Sequence, residues 1–206
     1  KMRAIILGGG KIDNVDFYRS FISDDDYIIC ADSGYDSALK LGITPNILIG
    51  DMDSLQSKVT DTKTVQYPTR KDMTDGQLAV EYAVGNDFEE IIMIGFIGSR
   101  MDHTLTNISF LDKINSENKY GVIIDEHNEM YLTTDTIELS GKKGDIVSVI
   151  PVSELVRGVT TYNLEYPLDN ENLYYNDSRG VSNVMCGDMC RITVKSGKAL
   201  VMKCSD

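Results

Sequence analysis

The first half of the chain alternates short, unbroken apolar runs with stretches whose apolar residues recur at helical spacing. The runs are Ala4-Ile5-Ile6-Leu7, Tyr27-Ile28-Ile29-Cys30-Ala31, Ile47-Leu48-Ile49, Ile91-Ile92-Met93-Ile94 and Gly121-Val122-Ile123-Ile124. Runs this short, without polar alternation, are typical of strands buried on both faces, as in a parallel sheet covered by helices. Between them the spacing predicts helices over 15–21 and over the stretches holding Tyr35, Ala38, Leu39 and Leu41; Leu78, Ala79, Tyr82 and Ala83; and Leu105, Ile108, Ser109 and Leu111. Val65-Gln66-Tyr67 predicts one more short strand. Strand–helix alternation of this kind implies an α/β domain with a mostly parallel sheet.

The pattern changes after about Asp125. Strand-like segments follow at 130–133, 135–139, 145–151, 158–164, 188–194 and 199–203, separated by turn signals such as Ser140-Gly141, Lys143-Gly144 and Ser196-Gly197. Short strands at this spacing predict an all-β antiparallel sandwich or partial barrel. The expected division is an α/β domain over 1–126 and a β domain over 127–206.

Composition narrows the function classes. The 206 residues suffice for two modest cores, and 42% hydrophobic with 25% charged residues is ordinary for a globular protein. The net charge of −12 argues against a nucleic-acid-coating role, which needs a basic face. It leaves room for a nucleotide ligand, because a bound Mg²⁺ can invert the local field. No apolar run approaches the roughly eighteen residues of a membrane span, and Ala4–Leu7 is too short for a signal peptide, so the expected compartment is the cytoplasm. Cys30, Cys186, Cys190 and Cys204 form neither a CxxC pair nor a Cys/His set, and are read as reduced structural cysteines.

Candidate chemistry sits at the strand ends. Gly50-Asp51-Met52-Asp53 closes the third apolar run. A loop continuing the strand would aim Asp51 and Asp53 at one point, where a hard cation such as Mg²⁺ would relieve their repulsion. A plain polar turn is the alternative. The loop 8–10 is all glycine, with Gly9 at its centre, so backbone there can approach a ligand, or simply turn. Asp32-Ser33-Gly34 either caps the following helix or meets a ligand at the sheet edge. Arg70 and Lys71 stand beside Asp72, Thr74 and Asp75 ahead of a helix, a mixture suited to a phosphate–metal complex or to a solvated charge cluster. After Ile94, Arg100 could grip phosphate and Asp102 a metal. His103 could act as a base or hold a structural hydrogen bond. In the second half, 178–183 and Tyr162, Tyr166, Tyr174 and Tyr175 could face a small flat ligand, or form a turn and a rim.

Taken in order, Asp32-Ser33-Gly34, Gly50-Asp51-Met52-Asp53-Ser54, Lys71-Asp72-Met73-Thr74-Asp75, Gly98-Ser99-Arg100-Met101-Asp102-His103 with Asn107, and Ser178-Arg179-Gly180-Val181-Ser182-Asn183 resemble the thiamine pyrophosphokinase family. The set spans nearly the whole chain. The resemblance implies an α/β domain binding ATP and Mg²⁺, a β domain binding thiamine, and a homodimer with thiamine held between the α/β domain of one subunit and the β domain of the other. The implied reaction is ATP + thiamine → AMP + thiamine diphosphate. On this likeness Asp51, Asp53, Asp72, Asp75 and Asp102 hold metal, and with Arg100 form the catalytic set. Gly9, Asp32, Ser33, Gly34, Lys71, Thr74 and Arg100 bind ATP. Ser182 and Asn183, with Asp75 and Asp102, bind thiamine. Either Asp72 or Asp102 accepts the hydroxyl proton. Two departures stand out: Ser99 occupies a position where the family usually carries glycine, and the chain has no Trp. The alternatives are a metal-dependent nucleotide (pyro)phosphohydrolase and a non-catalytic nucleotide sensor.

Overall fold

A computed structural model describes residues 2–53, 55–68 and 72–206. The chain forms two compact units, Lys1–Glu126 and His127–Asp206.

The first unit runs β1 (Arg3–Leu7), α1 (Val15–Arg19), β2 (Tyr27–Ala31), α2 (Gly34–Lys40), β3 (Ile47–Gly50), β4 (Lys63–Gln66), α3 (Asp75–Val84), β5 (Glu90–Ile94), α4 (Met101–Ser116) and β6 (Tyr120–Ile124). Its strands lie in the order β6-β5-β1-β2-β3-β4, and every pairing is parallel. Ile5, Ile6, Leu7, Ile29, Ile47, Leu48, Ile91, Met93 and Ile94 are fully buried, as two covered faces require. The chain winds from β1 outward to β4, then returns to pair β5 on the other side of β1. That reversal is the switch point of an open α/β sheet, the place where such sheets commonly bind ligands.

Two apolar residues do not face the core as their spacing suggested. Leu39 and Leu105 are 46% and 62% exposed. In α2 the buried stripe is Gly34, Tyr35 and Ala38, and in α4 it is Thr104, Phe110, Leu111 and Ile114. Thr104 takes the inward position because its hydroxyl has backbone partners there.

The second unit contains β7 (Asn128–Thr133), β8 (Thr136–Ser140), β9 (Ile146–Pro151), β10 (Leu155–Tyr162), β11 (Glu171–Tyr174), β12 (Asn183–Val184), β13 (Met189–Thr193) and β14 (Ala199–Cys204). They pair antiparallel in the orders β12-β9-β14-β7 and β11-β10-β13-β8. β8 alternates exposed and buried positions strictly, the period of a half-covered strand. β11 and β12 are four and two residues long, too short to show a period, and the apolar pattern does not reveal them. Among the described residues, no helix is long and apolar enough to cross a membrane.

Candidate active site

β2 and β3 are neighbours in the sheet, so the residues that end them lie side by side. Asp32 follows β2 with φ of 46°, a left-handed backbone that costs a non-glycine residue on the order of 1 kcal/mol. Two hydrogen bonds hold it there: its N–H donates to the Ile49 carbonyl (2.9 Å), and its own carbonyl accepts from Tyr35 N–H (3.0 Å). β3 ends at Gly50, and Asp51 follows. Across the gap, α3 starts at Asp75. The preceding Thr74 is the N-cap, its hydroxyl accepting from Gln77 N–H at 3.1 Å.

Asp32, Asp51 and Asp75 therefore converge. One carboxylate oxygen from each lies within 4.8 Å of the others, and all three residues are half-buried. Gly50 makes room for this. A β-carbon there would stand 3.0 Å from Asp75 Oδ1 and 3.1 Å from Asp32 Cβ, and its φ of +154° disfavours side chains. Three carboxylates this close repel one another in the absence of a cation. They present only hard oxygen donors. Ligand oxygens around an octahedral Mg²⁺, at about 2.1 Å from the ion, are themselves about 3 to 4 Å apart, so the donor set fits such an ion after a small closure.

The other expected ligands are placed differently. The chain does not continue extended beyond Asp51: Met52 has φ of 67°, and Asp51 Oδ1 accepts from Asp53 N–H at 3.0 Å. This turn leaves Asp53 exposed and outside the trio. Asp72 is exposed at the rim of the cavity. Asp102 takes a two-pronged hydrogen bond from Arg100, which holds its pKa down at about 2. Lys71, like Arg70, falls outside the described residues.

Two cavities open at the switch point. The first, about 470 Å³, is lined by the carboxylate trio, Asp72, Ser33 and Thr74, among others. The second, about 490 Å³, is lined by the 9–11 and 97–100 loops. Gly9, Phe96, His103 and Asn107 line both. The glycine loop is a packed crossing here: Gly10 N–H donates to the Gly95 carbonyl (2.8 Å), and a β-carbon on Gly10 would sit 2.6 Å from that oxygen. Ser33 Oγ lies against Gly9, and Gly34 starts α2 pressed on the end of β1, where a β-carbon would strike the Leu7 carbonyl. His103 is exposed at the start of α4.

In the second unit, Ser182 is exposed with φ of 60°, and its N–H donates to Ser148 Oγ (3.0 Å). Asn183 is buried. Its Nδ2 donates to the Tyr166 carbonyl (2.7 Å), and its Oδ1 accepts from Tyr166 N–H (3.0 Å) and Val184 N–H (2.9 Å). Its carboxamide thus braces the turn that carries Tyr166. Tyr162, Tyr166, Tyr174 and Tyr175 are all exposed, so they are rim rather than core residues.

The family resemblance gives Asp32 to ATP and not to metal. The signal for its place was present: an acidic residue closes β2 just as Asp51 closes β3, and consecutive parallel strands commonly lie side by side. The bracing roles of Thr104 and of Asn107, whose Nδ2 donates to the Phe96 carbonyl at 2.7 Å, carried no such signal.

Residues 18–124 match a family model described as "Thiamin pyrophosphokinase, catalytic domain", and residues 134–201 match "Thiamin pyrophosphokinase, vitamin B1 binding domain". A thiamine pyrophosphokinase of Bacillus subtilis is 27% identical over 210 residues, with 98% of each chain covered. Among solved structures, a thiamine pyrophosphokinase from Bacillus subtilis superposes with a TM-score of 0.89 at 25% identity, covering all of both chains. A thiamin pyrophosphokinase from Geobacillus thermodenitrificans gives 0.85 at 27% identity, over all of this chain and 98% of that one.

Proposed function

The chain belongs to the thiamin pyrophosphokinase family, and from that premise we propose that it transfers the diphosphoryl group of ATP to the hydroxyl of thiamine, releasing AMP and thiamine diphosphate. The observation that carries this reading is the convergence of Asp32, Asp51 and Asp75 beside a cavity at the switch point. In our reading the 1–126 unit binds ATP and catalyses, the 127–206 unit binds thiamine, and a cytoplasmic homodimer completes each site at the subunit interface.

The trio would hold Mg²⁺, with Asp72 and Asp53 reaching it through water. Bound there, the ion would supply charge neutralisation on the polyphosphate. Diphosphoryl transfer asks the protein mainly for positioning and electrostatic stabilisation. The Gly9 loop, Ser33 and Thr74 give the nucleotide a close surface with hydroxyl donors, while Gly34, expected to bind ATP, is buried against the end of β1 instead. Arg100 and Lys71 bring positive charge to the phosphates. In-line attack by the thiamine hydroxyl on the β-phosphorus breaks its bond to the α,β-bridging oxygen, which leaves on AMP. The hydroxyl proton needs an acceptor. Asp72, exposed at the cavity rim, and Asp102, once Arg100 turns to the phosphates, are the two candidates for that role. Asp75 and Asp102 flank the attacking end of thiamine, and Ser182 offers its exposed hydroxyl to the ring end. Asn183 acts there through the Tyr166 turn that it braces.

The test is incubation with ATP and Mg²⁺, with and without thiamine, following AMP and thiamine diphosphate by chromatography. Equimolar AMP and thiamine diphosphate, formed only with thiamine, is the expected result. Phosphate or AMP release at the same rate without thiamine would make the protein a nucleotide hydrolase, and tight ATP binding without turnover would make it a sensor.

A further inference from the structure

We propose that Thr104 is a positioning residue for the reaction: its hydroxyl fixes the loop that presents Arg100 at the second cavity. This rests on the reading of the site given above. Thr104 is 5% exposed, in the first turn of α4. Its Oγ1 accepts from Gly98 N–H and donates to the Gly98 carbonyl, both at 3.1 Å. Its backbone N–H donates to the Arg100 carbonyl, also at 3.1 Å. One residue thus meets the loop twice, through its hydroxyl at Gly98 and through the first backbone bond of α4 at Arg100.

Packing does not do this work. Gly98 is exposed, and a β-carbon there would meet nothing within 4 Å. Arg100, at the N-cap position, makes no capping hydrogen bond with its side chain, which pairs instead with Asp102. Upstream, Asn107 pins the Phe96 carbonyl, and Phe96 and Asn107 line both cavities. The wall shared by the cavities is therefore tied to α4 at Phe96 and again at Gly98, and Ser99 and Arg100 project from the second tie. The pairing of Arg100 with Asp102 is exposed, and such pairs exchange easily for other anions. A preformed loop spares the guanidinium an ordering step at each turnover, and that saving acts on kcat.

A buried threonine that merely satisfies its own hydroxyl near a helix start would show the same bonds. A double-substitution cycle separates the two roles. Thr104→Val removes the hydroxyl and keeps the shape; Thr104→Ser keeps the hydroxyl. AMP formation with thiamine, Mg²⁺-ATP dissociation constants and Gly98 amide exchange are measured for wild type, T104V, T104S, R100A and T104V/R100A. The expected pattern is a loss of at least about tenfold in kcat for T104V, recovery to within about threefold in T104S, and less than about twofold further loss when T104V is added to R100A. Gly98 exchange is slow in wild type and T104S and fast in T104V. Losses that multiply in the double variant, or a kcat for T104V equal to wild type, overturn the proposal. So does a Gly98 amide that exchanges freely in wild type, a result that needs no variant. Should wild type make no thiamine diphosphate, the assigned reaction fails on its own. Thr104 is then judged by Gly98 exchange and by the same cycle in Mg²⁺-ATP dissociation constants, where non-coupling overturns it.

Discussion

A β-carbon on Gly50 would stand 3.0 Å from Oδ1 of Asp75. The end of β3 and the start of α3 thus come close at Gly50, and the carboxylate trio forms across that gap. Gly50→Ala should push Asp75 away from Asp51 and strain a backbone at φ +154°, costing about 1–3 kcal/mol of stability. AMP formation should fall by at least about a hundredfold in the protein that remains folded, since small misplacements at a reacting centre have effects of that size. Calorimetry and a discontinuous AMP assay check the two halves separately.

The trio and its neighbours should separate by function. Mg²⁺ should raise the melting temperature of wild type, because a ligand that binds only the folded state stabilises by mass action, and Asp32→Asn, Asp51→Asn and Asp75→Asn should each abolish that rise. Asp53→Asn should retain that rise and lose less than about tenfold in activity, since its carboxylate lies outside the trio and acts at most through water. Chelation by EDTA should return wild type to the melting temperature of the metal-free protein.

Asn183 should prove structural in its direct contacts. It makes three hydrogen bonds to Tyr166 and Val184 from a buried position. Asn183→Ala leaves those backbone groups unsatisfied and should cost about 2–3 kcal/mol. Thiamine KM should rise together with the loss of order at Tyr166, measured by amide exchange. A raised KM with unchanged exchange at Tyr166 would mean that Asn183 touches the substrate itself.

Acid sensitivity should trace in part to Arg3 and Asp26. Arg3 Nε and a terminal guanidinium nitrogen each meet an Asp26 oxygen at 2.7 Å, and the Asp26 side chain is 3% exposed. Burial opposes ionisation of Asp26, but the Arg3 guanidinium and the Ser23 N–H outweigh it and hold the pKa below the ordinary value of 3.8. A depressed folded pKa means that the stabilisation is complete above about pH 4 and is lost as the pH falls below that. Arg3→Met leaves a buried carboxylate unpaired and should cost about 3 kcal/mol at pH 7. The penalty should shrink near pH 3 as Asp26 takes up a proton, which thermal melts across that range would show.

Much of the fold was written in the hydropathy pattern. Unbroken runs such as 4–7 and 91–94 have the pattern of strands covered on both faces, and the change of period after Asp125 divides parallel from antiparallel architecture. The ordered motifs carried the family. Leu39 and Leu105 misled because a helix face is fixed by what it packs on, and Thr104 had partners waiting on that face.

By itself the sequence determined the buried strands of the first unit, the acidic residues that close them and the family to which the chain belongs, because burial on two faces and short motifs are local properties. Only the tertiary structure decided which carboxylates meet. Strand order sets Asp32 beside Asp51, and a left-handed Met52 turns Asp53 away. Arg100 claims Asp102, and a glycine admits Asp75. Proximity across a sheet depends on strand neighbours and turn geometry, and no spacing along the chain encodes either.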